Sequence, residues 1–169
     1  RMVQDMKGVD GYKTVDKAFK DLPVSTEQVL HTDKYLSERD LPDEIGLDLV
    51  GIQDALPEGW KLGEPDTIGE IGTIVEFIDG GQVEKAVKAA AGWGGDIYIT
   101  AKKGDDVLTI WVSTWDTAAD AKEFGEAVEG LPDVLVSKWS VSYNHLTLPT
   151  ILRVLFTLVA AAYLSNIYK

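Results

Sequence analysis

The feature that most constrains the fold is a pair of strand-like runs joined by a short polar turn, DIYITAKKGDDVLTIWVSTWD at residues 96–116. β-Branched and aromatic residues recur on both sides of the turn at 103–106, which is typical of an antiparallel hairpin. In the second run, Trp111 and Trp115 share one face, and the other face carries Leu108, Ile110 and Val112. We expect the tryptophan face to pack against helices, and an exposed aromatic patch for a partner is the alternative.

A helical hairpin is predicted before these strands. Residues 65–81 place Thr67 and Glu70 at capping-box spacing, and two glycines end the segment. The apolar stripe of this helix is Ile71, Ile74, Val75 and Ile78. Residues 82–92 predict a second helix, whose small face can lie close to a sheet. That face is Val83, Ala86, Val87, Ala90 and Ala91.

After the strands, residues 116–132 resume helical periodicity, with Thr117 as the predicted N-cap and Pro132 past the end. A further strand is predicted at 134–142. The order helix, helix, strand, strand, helix, strand implies an α+β fold, an antiparallel sheet with helices packed on one face, preceded by N-terminal helices.

Two helices are predicted near the N-terminus. Residues 10–23 predict a helix with Asp10 as its N-cap. Its expected buried face is Tyr12, Val15 and Phe19. Residues 23–36 predict a second, short helix, because Ser25 and Gln28 have the spacing of a capping box.

Alternating apolar residues at 45–49 favour a half-buried strand, for which residues 59–63 offer a partner. The chain begins at Arg1 in a helix-like segment, without an initiator methionine or a signal peptide. We therefore expect residues 1–40 to be an N-terminal helical segment that continues a missing upstream domain, 41–139 to be the α+β domain, and 140–169 to be an apolar tail.

Composition excludes several classes of function. The chain has 28 acidic and 16 basic residues and a net charge of −12, so it should repel nucleic acids and anionic membranes. It has no cysteine, which rules out disulfides, thiolate nucleophiles and cysteine-ligated metal sites. The chain is thus expected to bind no nucleic acid and to lie outside the membrane.

The residues that could support catalysis are few. The two histidines, His31 and His145, lie in no HExxH pattern, so no zinc site is expected within this chain. We expect the His31 side chain to hydrogen-bond the end of the short helix that it follows. No serine lies in G-x-S-x-G, and the abundant carboxylates are typical of a solvated surface.

A glycine-rich corner, AAAGWGGDIYIT at 89–100, joins the second helix of the hairpin to the first strand. Gly92 is expected to take a positive φ there, which allows Trp93 to fold back over the alanine face. The alternatives are an anion-binding nest of backbone N–H groups and a partner-binding tryptophan. Asp96 argues against the nest, because its charge would oppose an anion.

Four motifs in fixed order resemble a family of extracytoplasmic bacterial and archaeal proteins: STEQVLHTDKYL (25–36), LPEGWKLGEPDTIGEIG (56–72), AAAGWGGDIY (89–98) and WDTAADAKEF (115–124). The resemblance covers roughly residues 10–130. The motif residues, with a structural or binding role, are Ser25, Gln28, His31, Tyr35, Gly92, Trp93, Gly94, Gly95, Asp96, Trp115 and Asp116. Thr32 and Ile97 depart from the family's usual proline and arginine.

Several members of that family carry an upstream HExxH helix like that of zinc metallopeptidases, with a further glutamate on the next helix. The resemblance therefore implies a secreted, metallopeptidase-like parent protein. It also implies that the catalytic portion, with any zinc cofactor, lies outside this chain. The expected partner is that upstream peptidase-like domain.

The tail has a different character. SVSYNHLTLPTILRV at 140–154 resembles translated sequencing-adapter read-through at the ends of metagenomic assemblies. The alternative is a genuine helix over 151–164, which is too short for a membrane span of about 20 residues and could drive self-association.

The sequence thus predicts a non-catalytic C-terminal portion of a zinc-peptidase-like protein, acting as a packing or substrate-side module. A stand-alone protein- or ligand-binding module with an exposed tryptophan face is the first alternative. A hydrolase whose carboxylates carry no recognisable pattern is the second.

Overall fold

The predicted hairpin forms the centre of the sheet. The computed structural model describes residues 1–37, 39–78, 83–129, 135–143 and 152–159. Strand β2 (Trp93–Lys103) pairs antiparallel with β3 (Asp106–Trp115), and Gly104 turns between them with a φ of 60°. The prediction of this hairpin is confirmed.

Three further strands extend the sheet. β1 (Lys61–Leu62) pairs with β2, and β5 (Leu152–Val159) lies between β3 and β4 (Leu135–Tyr143). The order is β1-β2-β3-β5-β4, and all four pairings are antiparallel.

The predicted strand at 134–142 is confirmed, whereas the alternative of a helix over 151–164 is wrong for 152–159. The run LRVLFTLV is rich in β-branched and aromatic residues, and it pairs with two strands.

The helical hairpin and the helix after β3 cover the tryptophan face of the sheet. These helices are α6 (Gly69–Ile78), α7 (Val83–Ala90) and α8 (Ala118–Glu129). The buried core cluster consists of Ala86, Trp93, Trp115, Ala121 and Phe124, with Trp111 packed against it. The predicted α+β architecture is therefore confirmed.

The aromatic rings of this core are in direct contact. The ring centroids of Trp115 and Phe124 lie 4.4 Å apart, and Trp111 meets Phe124 edge-on at 5.5 Å. Trp115 is 2% exposed and Phe124 is fully buried. The interpretation that the tryptophan face packs is correct, and Trp115 offers no exposed surface to a partner.

The small face of α7 is shifted from the predicted one. Ala86, Ala89 and Ala90 are buried, whereas Val83 and Val87 are exposed. On α6, Val75 is exposed as well. The smaller alanine side chains allow α7 to approach Trp93 and α8 closely, so the valines on either side of them remain outside.

Among the described residues, five helices precede the sheet: α1 (Met2–Asp10), α2 (Tyr12–Ala18), α3 (Thr26–Leu30), α4 (Thr32–Leu36) and α5 (Leu49–Ala55). Asp10 is the last residue of α1 and does not cap a helix. Gly11 separates α1 from α2 with a φ of 59° and is itself the N-cap residue of α2. The predicted face is also wrong: Tyr12 and Phe19 are exposed, and Thr14 and Ala18 are buried instead.

The strand predicted at 45–49 is wrong too. The Asp48 carboxylate accepts a hydrogen bond from the Gly51 N–H at 2.9 Å and begins α5 at Leu49. Its proposed partner at 59–63 contributes β1, which pairs with β2 instead. A side-chain cap available three residues away thus competes successfully with an alternating pattern.

Within the part of the chain that the structure describes, no helix has the length and apolar character that a membrane crossing requires.

Candidate functional site

Two of the sequence motifs meet in a hydrogen bond between His31 and Glu70. His31 is both the C-cap residue of α3 and the N-cap residue of α4, so it lies at a corner, and Glu70 lies in the first turn of α6. The His31 Nε2 and Glu70 Oε1 atoms are 2.9 Å apart. The expected hydrogen bond from the His31 side chain to a helix end is therefore wrong, because its partner is a carboxylate 39 residues away.

Glu70 is buried and incompletely satisfied. It is 1% exposed, and its second oxygen, Oε2, has no hydrogen-bond partner among the described residues. The side chain of His31 is 42% exposed. A buried carboxylate therefore holds one nitrogen of a partly exposed imidazole, an arrangement that fixes the orientation of the ring.

The capping box predicted for Thr67 and Glu70 is replaced by a cap from β2. Asp96 accepts hydrogen bonds from the backbone N–H groups of Gly69 (3.0 Å) and Ile68 (3.1 Å) and from the Trp111 indole N–H (2.8 Å). Burial raises the pKa of Asp96, and these hydrogen bonds oppose the rise. The N-terminus of α6 is thus capped from within the protein.

The glycine corner is built for close backbone approach. Gly92 has a φ of 77°, and a Cβ atom at Gly95 would lie 2.9 Å from the Asp43 carbonyl oxygen. Gly94 accepts a hydrogen bond from the Asp43 N–H at 2.8 Å. Trp93 is 1% exposed in the core. The glycine corner therefore has the structural role that the sequence predicted. The Asp96 carboxylate accepts hydrogen bonds from the N–H groups at the start of α6, which an external anion would otherwise use.

A cluster of four charged side chains, Glu27, Lys34, Asp40 and Asp116, involves both α3 and α4. The Lys34 ammonium is 2.6 Å from Glu27 Oε1, 2.7 Å from Asp116 Oδ2 and 3.0 Å from Asp40 Oδ2. Glu27 is 2% exposed, whereas the side chains of Asp116 and Asp40 are 39% and 47% exposed. The cluster thus joins α3, α4, the following loop and the end of β3.

The electrostatics of this cluster follow from unequal burial. Removal from water raises the pKa of Glu27 to about 7, and the hydrogen bond and charge of Lys34 limit the rise. The three carboxylates raise the pKa of Lys34, against the effect of its own burial. Lys34 is therefore a fixed cation, and Glu27 is the group whose charge changes near neutral pH.

The same three carboxylates are the only grouping of this kind among the described residues that could approach a metal ion. One oxygen from each of Glu27, Asp40 and Asp116 lies within 4.8 Å of the others. The Lys34 ammonium contacts all three, so a cation would have to displace it. The donor set is entirely oxygen, which suits Mg²⁺ or Ca²⁺ better than Zn²⁺.

The remaining motif residues hold the backbone. Ser25 caps α3 as predicted, and its hydroxyl accepts a hydrogen bond from the Gln28 N–H at 3.1 Å. The Gln28 side chain is fully buried, accepts from the Val24 N–H and donates to the Asp40 carbonyl. The Tyr35 hydroxyl donates to the Asp21 carbonyl.

The sequence did not single out Glu27 or Lys34, and it gave Glu70 a capping role only. Each is one member of a large charged population, and no periodic pattern separates it from solvated neighbours. The signal that was present is their place in the motifs: Glu27 and Lys34 lie in the first, Glu70 in the second and Asp116 in the fourth. Only the fold shows that these motifs contact one another.

Comparison with known proteins gives one match. A family model described as a domain of unknown function, DUF8575, matches residues 60–142, just under half of the chain. The matched region runs from before β1 into β4 and includes Glu70, Asp96 and Asp116, but not α3 or α4. No curated protein and no solved structure matches the chain.

Proposed function

We propose that this chain is the non-catalytic C-terminal portion of a secreted zinc-peptidase-like protein, in which it acts as a packing or substrate-side module. The secreted location and the peptidase-like parent rest on the motif resemblance. The packing role rests on one structural observation, the exposed apolar surface of the N-terminal helices.

That surface is large for a short segment. Phe19 is 78% exposed and Tyr12 is 66% exposed. The exposed large apolar side chains in this segment are Val3, Val9, Tyr12, Phe19, Leu22 and Val24. Burying one such side chain in an interface contributes about 1.5–3 kcal/mol. Several of them together favour a segment that packs against another protein surface.

The charged cluster supports the absence of catalysis by this chain alone. Lys34 contacts all three carboxylates that could approach a metal, and no imidazole belongs to that grouping. A hydrolytic zinc site normally needs three protein ligands and an open position for water. The imidazole of His31, the one histidine within the described ranges, is hydrogen-bonded to Glu70.

The catalytic part of the proposal is tested on the purified chain. Metal analysis after incubation with zinc should find no stoichiometric ion, and an assay with an unstructured protein substrate should find no cleavage. Zinc at one equivalent together with cleavage would favour the hydrolase alternative and overturn the proposal.

The packing part is tested by binding to a separately produced HExxH-bearing segment of the parent protein. The double variant Phe19→Ser, Leu22→Ser should weaken binding at least about tenfold, because it removes apolar anchors from the interface. Val83→Ser, Val87→Ser is the matched control, since those valines are exposed on α7. Equal binding by both variants, or no binding by the wild-type chain, would contradict the packing role.

A further inference from the structure

We propose that a cavity beside the β2–β3 turn binds a small oxyanion with two negative charges, of the phosphate or dicarboxylate type. The cavity has a volume of about 590 Å³. Its lining includes Gly59, Lys61, Thr100, Lys102, Lys103 and Gly104. It lies at the opposite end of β2 from the glycine corner, and the inference is independent of the proposed function.

The sheet register places two of these lysines side by side. Lys61 in β1 is the direct antiparallel partner of Lys102 in β2. Like charges directly opposite each other on neighbouring strands repel and destabilise the pairing. An anion between the two ammonium groups would convert that repulsion into attraction.

Lys103 is held over the same cavity by the loop before β1. Its ammonium donates a hydrogen bond to the Glu58 carbonyl oxygen at 2.9 Å. Gly59 has a φ of 90°, and a Cβ atom there would lie 3.2 Å from Lys103 Cε, so the glycine allows the loop to approach this side chain. The loop thus holds the Lys103 ammonium at the edge of the cavity, while Lys61 and Lys102 share one face of the strand pair.

The charge balance of the cavity is opposite to that of the chain. The net charge is −12, yet no carboxylate lines the cavity. Within the described ranges, Lys61, Lys102 and Lys103 form no ion pair, whereas Lys34 contacts three carboxylates. Asp106 is the β-partner of Lys103 at the turn, so Lys61 and Lys102 are the main anion-binding residues.

The chemistry of the lining defines the ligand class. Two lysines at directly paired positions of neighbouring strands match an anion with two negative charges, because opposite charges attract one another near a protein surface. Thr100 adds a hydroxyl group, which can donate to an oxygen atom.

The probes are inorganic phosphate and succinate, titrated into the isotopically labelled chain at constant ionic strength and followed by amide NMR. Either anion should shift the signals of Thr100 and Gly104 in a saturable manner, with a dissociation constant in the millimolar range. The anion with the lower dissociation constant shows whether the site prefers the phosphate or the dicarboxylate type. The double variant Lys61→Gln, Lys102→Gln should weaken binding at least about tenfold.

The matched control is Lys17→Gln, Lys20→Gln. It replaces two exposed lysines, one in α2 and one just after that helix. Its binding should equal that of the wild-type chain. Equal weakening by both double variants would show general charge screening and overturn the proposal. So would the absence of saturable shifts at the cavity with both anions.

Discussion

Two regions of the molecule are stabilised by different means. One is the aromatic core beneath α8, and the other is the charged contact, by which we mean the cluster around Lys34 together with the His31–Glu70 hydrogen bond. In the core, Trp115 and Phe124 have ring centroids 4.4 Å apart, and burial of apolar area supplies the free energy. In the charged contact, Lys34 and Glu27 meet at 2.6 Å, and the free energy depends on geometry and protonation. The core should therefore tolerate changes of pH that the charged contact does not.

The difference also concerns specificity. Apolar packing is non-directional, so many arrangements of α8 would bury a similar area. The charged contact requires defined partners, because Lys34 must reach Asp116, 82 residues away, and His31 must reach Glu70. We infer that the core provides most of the stability and that the charged contact fixes the orientation of α3 and α4.

The largest expected effect is on the core. Phe124→Ala should reduce the free energy of unfolding by about 3–5 kcal/mol, because the side chain is fully buried and its loss leaves a cavity between two tryptophans. Urea denaturation followed by tryptophan fluorescence measures the change. Val87→Ala on the exposed face of α7 is the control, and a loss below about 1 kcal/mol in Phe124→Ala would refute this account of the core.

The core was also the region that the sequence predicted best. The hairpin follows from a period of two residues around a glycine turn, and the caps at Ser25 and Thr117 follow from side chains three residues from their targets. All of these signals are local, since the interacting groups lie within a few residues of each other. Local signals therefore recovered β2, β3, β4 and the three helices that cover the tryptophan face, whereas β5 was not predicted.

The candidate site depends on long-range contacts, which is why the sequence did not predict it. The predicted capping box at Thr67 and Glu70 failed because Asp96, 27 residues from Gly69, caps α6 instead. Glu70 is then available to His31. No periodicity in a single sequence encodes this competition, although the motifs did contain the residues concerned.

The second prediction concerns the charged contact. Lys34→Met should reduce the free energy of unfolding at pH 7 by about 2–3 kcal/mol, since it leaves Glu27 buried without a cation. The effect should be below that of a fully buried pair because the Lys34 side chain is 24% exposed. Lys17→Met, which changes an exposed lysine, is the control for urea denaturation. A loss in Lys34→Met no larger than the control's would show that the cluster contributes nothing to stability.

The pH dependence of stability distinguishes the two regions. The pKa of Glu27 is raised from 4.5 to about 7 in the folded protein, so the folded state binds this proton more tightly than the unfolded state. The stability from this group is therefore complete below about pH 4.5 and is lost as the pH rises to about 7. We expect a loss of about 2 kcal/mol between pH 5 and 7, since the raised pKa already includes the opposing effect of Lys34.

Glu27→Gln isolates this contribution, since the amide keeps the shape of the side chain and does not titrate. Its stability should change less between pH 5 and 7 than that of the wild-type chain, whereas Phe124→Ala should keep the wild-type slope. Parallel curves for Glu27→Gln and the wild type would assign the pH dependence to other groups.

The smallest expected effect comes from removing the tail after Ser142. β3 and β4 are both antiparallel to β5, so they run parallel to each other, and α8 connects them. A strand, helix and parallel strand form a βαβ unit in which the two strands can pair directly. The family match also ends at residue 142. We therefore expect β4 to pair with β3 once residues 143–169 are deleted, with a change in the free energy of unfolding below about 1 kcal/mol.

Urea denaturation measures that change, and light scattering measures whether self-association falls when the apolar tail is absent. A loss of several kcal/mol would show that β5 is an integral strand of the sheet and would contradict the adapter-derived origin that the tail sequence resembles.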